Sequence, residues 1–122
     1  MGWNRISALP LLVVAAGCSD TLPGPIACTD IFVYGLAITV VDQAGQPAAE
    51  GAVGVAIDGT YREDLMQSGP DLLIGAGERP GEYDLVIVRE GFAPWTASDV
   101  EVDADECHVI PVELEATLIP AS

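Results

Sequence analysis

The chain has 122 residues, enough for one modest domain, and half of them are hydrophobic. Its charge is one-sided: 19 acidic residues stand against four basic ones, all arginine, giving a formal net charge of −15 at pH 7. Such a surface repels phosphate backbones and anionic lipid headgroups, which excludes nucleic-acid binding and leaves no basic patch to hold the chain on a membrane.

Residues 1–5 make a short, weakly positive start through Arg5, and residues 6–16 are apolar apart from Ser7, with Pro10 inside the run. That run is shorter than the roughly 20 residues needed to span a bilayer. It has the length of the hydrophobic stretch of a secretory signal. Val14-Ala15-Ala16-Gly17-Cys18 follows, then Ser19 and Asp20. This segment resembles the lipobox of bacterial lipoproteins, departing from it at Ala15, where Leu is usual. The resemblance implies a signal peptide over residues 1–17, cleavage after Gly17 and lipid on Cys18 as the new N-terminus. An ordinary secretory signal cut near Ala16 or Gly17 is the alternative. Acyl chains contribute about 0.8 kcal/mol per buried methylene, so two or more give firm anchoring. Ser19, directly after the cysteine, favours the outer membrane by the enterobacterial sorting rule. Residues 18–27, with Pro23, Gly24 and Pro25, read as the lipidated N-terminus and a short tether.

From residue 28 onward the pattern is all-β. Apolar alternation recurs in short runs separated by Gly- and Pro-containing turns. The first run covers residues 33–41, with Leu36, Ile38 and Val40 on one face, and ends in a turn at Asp42–Pro47. Residues 52–57 follow, with Val53, Val55 and Ile57 sharing a face, then a tight turn at Asp58-Gly59. Residues 61–66 and 72–76 make two further runs. Arg79-Pro80-Gly81 turns the chain into residues 82–89, where Tyr83, Leu85 and Ile87 align. Glu90-Gly91 breaks that run. Residues 97–104 alternate Val100 and Val102 with acids. Residues 107–118 close the domain, with Ile110, Val112, Leu114, Ala116 and Leu118 on one face and Pro111 pointing to an edge position or a bulge. Seven runs predict a single seven-stranded Greek-key β-sandwich over residues 28–118 and a tail at 119–122.

Within these runs, Val41-Asp42-x-x-Gly45-x-Pro47 followed by Ala52-Val53 resembles the opening of carboxypeptidase regulatory-like domains, which have a transthyretin-like (prealbumin-like) fold. Gly81-x-Tyr83-x-Leu85-x-Ile87-x-x-x-Gly91-Phe92 is similar to their hairpin signature. The resemblance spans residues 33–118 and implies an accessory module with a scaffold or binding role. Gly45 and Gly91 suit turns that need positive φ, and Tyr83 and Phe92 supply large buried area.

Three cysteines are present, Cys18, Cys28 and Cys107. With Cys18 taken by lipid, an even pair remains in an oxidising compartment, which points to a Cys28–Cys107 disulfide. Two free thiols are the alternative. Metal binding fits poorly, because no CxxC occurs and His108 is the one histidine.

Candidate binding residues are few. Asp99, Glu101, Asp103 and Asp105 alternate and would share one strand face, either as a calcium site or as a solvated surface. Trp95 could stack on a glycan together with Tyr61, or close one end of the core. His108 reads as structural, and Asp58, Glu63 and Asp64 as surface charge near a turn. Catalytic patterns are absent: there is no G-x-S-x-G elbow and no HxxE, and the chain ends Leu118-Ile119-Pro120-Ala121-Ser122 without the Tyr-Arg-Gly-Ser of hydroxyisourate hydrolases. No cofactor is expected. The expectation is a non-catalytic cell-envelope lipoprotein serving as a structural or protein-interaction module, with membrane attachment through Cys18 and an envelope protein or glycan as partner. Carbohydrate binding and calcium-dependent adhesion are the rivals.

Overall fold

The structure, a computed structural model, describes residues 28–122; the signal-peptide, Cys18 and tether expectations lie outside them. The described residues contain no helix and eight strands. These are β1 (Tyr34–Asp42), β2 (Val53–Asp58), β3 (Tyr61–Asp64), β4 (Met66–Gln67), β5 (Leu72–Gly77), β6 (Gly81–Val88), β7 (Trp95–Val102) and β8 (Val112–Leu118). They form two four-stranded sheets, ordered β4-β5-β1-β8 and β3-β2-β6-β7, in a sandwich-like arrangement. Neighbours pair antiparallel except β1 and β8, which run parallel from Leu36↔Val112 to Asp42↔Leu118. The first and last strands are therefore adjacent.

The core lies between the sheets. Leu36, Ile38 and Val40 of β1, Tyr83, Leu85 and Ile87 of β6, and Ala116 and Leu118 of β8 are fully buried. Each large aliphatic or aromatic side chain sealed this way contributes about 1.5–3 kcal/mol. The strong alternation of β1 and β6 places them as expected. The turn after β1 closes on Asp42, whose Oδ1 accepts from the N–H groups of Ala44 and Gln46, both at 2.9 Å. Gly45 takes φ 80° there, the left-handed geometry such a turn needs.

Several expectations are corrected. Eight strands replace seven because the run at residues 61–66 divides: β3 belongs to one sheet, β4 to the other, and buried Leu65 lies at the crossing. In β2 the inward residues are Gly54 and Ala56, while Val53 is 56% exposed on the opposite face. The reason is the shortage of space between the sheets. A Cβ added at Gly54 would come within 2.8 Å of Leu65 Cδ1 and 3.0 Å of Leu73 Cδ1, so those leucines fill the volume that a valine on β2 would need. At the end of the chain, Cys107 sits in the β7–β8 connection instead of opening a strand. Ile110 is 51% exposed, Val109 is buried instead, and β8 begins only after Pro111, as the edge strand of its sheet. Residues 119–121 bond back to the β6–β7 loop through Ala93 N–H to Ile119 O and Ala121 N–H to Gly91 O.

Candidate functional site

Cys28 and Cys107 form a disulfide, with Cα atoms 5.2 Å apart. Beside it lies a polar hub centred on Glu78, in the β5–β6 turn. Glu78 has φ 48°, which a non-glycine residue rarely adopts, and its N–H donates to Val33 O. Its carboxylate accepts from Val33 N–H at 3.0 Å, from Val109 N–H at 3.2 Å and from His108 Nδ1 at 2.6 Å. A carboxylate only accepts, so Nδ1 of His108 carries a proton. The other ring nitrogen, Nε2, lies 3.2 Å from Thr29 Oγ1. Desolvation pushes the Glu78 carboxyl up, but the hydrogen bonds from His108, Val33 and Val109 more than reverse this, so its pKa lies below the ordinary glutamate value. The hub thus joins the segment before β1, the β5–β6 turn and the β7–β8 connection. The His108 ring bridges Glu78 and Thr29 within this hub.

A second cluster surrounds Arg79. Its guanidinium donates to Asp58 Oδ2 at 3.1 Å and to the Tyr83 hydroxyl at 2.9 Å, and lies 3.6 Å from the centre of the Tyr61 ring. The Tyr83 hydroxyl donates in turn to Arg79 O at 2.8 Å. Tyr61 donates to Glu63 Oε1 at 2.6 Å, a bond that raises its pKa, and Glu63 Oε2 accepts from Ala76 N–H. The partners of Arg79 belong to the fold, so the cluster reads as an end closure of the sandwich.

The four candidate calcium residues are not brought together. Asp99 has φ 57° at a bulge in the β6–β7 pairing, and its N–H donates to Asp84 Oδ1 at 3.2 Å. Asp99 and Glu101 point outward from β7, whereas Asp103 and Asp105 lie beyond its end. Asp105 Oδ1 accepts from the N–H groups of His108 and Cys107, and these bonds lower its pKa. Among the described residues no three acidic, histidine or cysteine side chains converge as a metal site.

Trp95 is half-buried, opposite Ile87 on the inward face of β7, and packs against the core. Tyr61 pairs with Asp58 at the far end of the same sheet. The two rings therefore cap opposite corners and make no common platform.

The outward face of sheet β3-β2-β6-β7 escaped the sequence reading. Val53 pairs with Val88 and Val55 with Val86, all four pointing away from the core. The signal for it was available: Val86 and Val88 alternate against the aligned Tyr83, Leu85 and Ile87, so β6 is apolar on both faces at that end.

No protein-family model and no curated protein matches the chain.

Proposed function

We propose that the protein is a lipid-anchored protein of the bacterial cell envelope, outer membrane favoured, whose domain is a non-catalytic structural or protein-interaction module. In this reading residues 1–17 are removed, Cys18 carries the lipid, and the sandwich is of the carboxypeptidase regulatory-like, Greek-key type. The observation that carries it is the cysteine ledger. Cys28 and Cys107 satisfy one another, which leaves Cys18 as the odd thiol, inside a sequence with the form of a lipobox. The acidic surface adds support, because it offers no electrostatic route to a membrane. The two most polar clusters, around Glu78 and Arg79, are taken up by the fold, which favours scaffolding over chemistry.

The test is the intact mass of the protein purified from membranes. The expected product begins at Cys18 and carries the mass of a diacylglyceryl group, with or without a further acyl chain. A mature chain that starts at unmodified Ser19, or one that retains Met1, refutes the anchoring.

A further inference from the structure

We propose that the outward face of sheet β3-β2-β6-β7 is a docking surface for a basic polypeptide segment, one that alternates Lys or Arg with apolar residues. The proposal rests on the interaction-module reading and names the surface and the chemistry of the partner.

The face is laid out in rows by the strand register. The lowest row is Val53↔Val88, which are 56% and 42% exposed. Above it Val55↔Val86 is flanked by Asp64 of β3 and Thr96 of β7. The next row sets Ile57 between Arg62 and Asp84, with Asp99 bonded to Asp84 across the bulge. The last row is Glu82↔Glu101, two like charges directly opposite one another. An aliphatic ladder thus runs into an acidic field that contains one cation, Arg62, itself 3.9 Å from Asp64 in an exposed pair of little worth.

Each half of this surface is unfavourable alone. Exposed valines keep apolar area in water, and a directly opposed Glu–Glu pair destabilises the sheet. A cationic segment relieves both at once. Lys and Arg carry long aliphatic stems with a charged tip. Stems laid on Val55 and Val86 bring their tips to Asp64 and Asp84, in the same and the next row, and residues further along the segment meet the Glu82↔Glu101 row. A second copy of this chain meets the same acids with its own net charge of −15 and is repelled. Nucleic acid and anionic lipid are repelled likewise.

The experiment titrates the full chain, isotope-labelled for NMR, with a synthetic peptide of alternating Lys and Val. Saturable amide shifts are expected on β2 and β6. Val53→Thr with Val88→Thr, which keeps charge and β propensity, should weaken binding about ten-fold. Glu82→Gln with Glu101→Gln should weaken it and flatten its salt dependence between about 50 and 300 mM. All four positions are exposed, so unchanged thermal melts certify the fold of the variants. Shifts spread over the whole acidic surface, an unchanged affinity in the valine variant, or equal binding of a Lys–Ser peptide overturns the proposal. So does self-association, or uptake by phosphatidylcholine vesicles, that the valine variant abolishes while peptide binding persists. A native partner captured through another face also overturns it, yet leaves the lipid-anchored module reading standing.

Discussion

Replacing Cys28 and Cys107 together by serine removes the covalent tie between the segment ahead of β1 and the connection ahead of β8. The residues are 79 apart in sequence. In the chain-entropy model, closing a loop of that size stabilises by about 4.5 kcal/mol at 25 °C, and disulfides of this class commonly deliver about 2–4 kcal/mol. Only about 5–15 kcal/mol separates a typical domain from its unfolded state, so the loss is a large share. At about 4–8 °C per kcal/mol for a domain near this size, the melting temperature should fall by about 8–30 °C. The noncovalent contacts of the same segment, Thr29 with His108 and Val33 with Glu78, and the core between the sheets are left in place, so the double variant should still fold at room temperature. Circular dichroism melts of parent and double variant, each with and without reductant, provide the measurement, alongside a thiol titration. Reductant should lower the parent to the level of the variant and leave the variant unmoved. A double variant that melts within about 2 °C of a parent in which neither Cys28 nor Cys107 titrates refutes the reasoning, because the closed loop would then contribute nothing.

Glu78→Gln should lower the melting temperature at neutral pH and flatten the acid limb of stability. Because the folded carboxyl has a lowered pKa, its contribution is present above the unfolded value of about 4.3 and is lost as pH falls through the folded one; urea midpoints across pH 2–7 check this, and an unchanged acid limb in the variant counts against it. Tyr83→Phe deletes the hydroxyl that bonds both the side chain and the carbonyl of Arg79; a loss of about 1–3 kcal/mol in urea unfolding is expected. Gly54→Val drives new methyl groups against Leu65 and Leu73, costing about 1–3 kcal/mol by the same assay, and a neutral or stabilising result would show that the sheets separate freely at that point.

The legible parts of this fold were those where residue size and periodicity agree. In β6 the large residues Tyr83, Leu85 and Ile87 leave one choice of inward face. The disulfide was legible from the cysteine count once the lipobox resemblance sets Cys18 aside. β2 was misread because valines outrank Gly54 and Ala56 on any hydrophobic scale, while the deciding quantity, the room left by Leu65 and Leu73, belongs to other strands. The division of residues 61–66 is similar: the run looks continuous, and only the opposing sheet decides that the chain crosses at Leu65. The Glu78 hub had no local signal, since its partners lie at Val33, His108 and Val109. The acidic alternation from Asp99 to Asp105 was visible, but the bulge at Asp99 and the end of β7 at Val102 break the single face it suggested.

The disulfide also sets the path of mechanical load. Tension applied between the residues that precede Cys28 and the C-terminus passes through the sulfur bridge into residues 107–122. The loop between the two cysteines is shunted out of the line of force. What bears the pull is the backbone of residues 107–122, β8 included, while β1, inside the shunted loop, is spared. Reduction removes the shunt and puts every strand in series, so the same chain would then yield by a far longer extension.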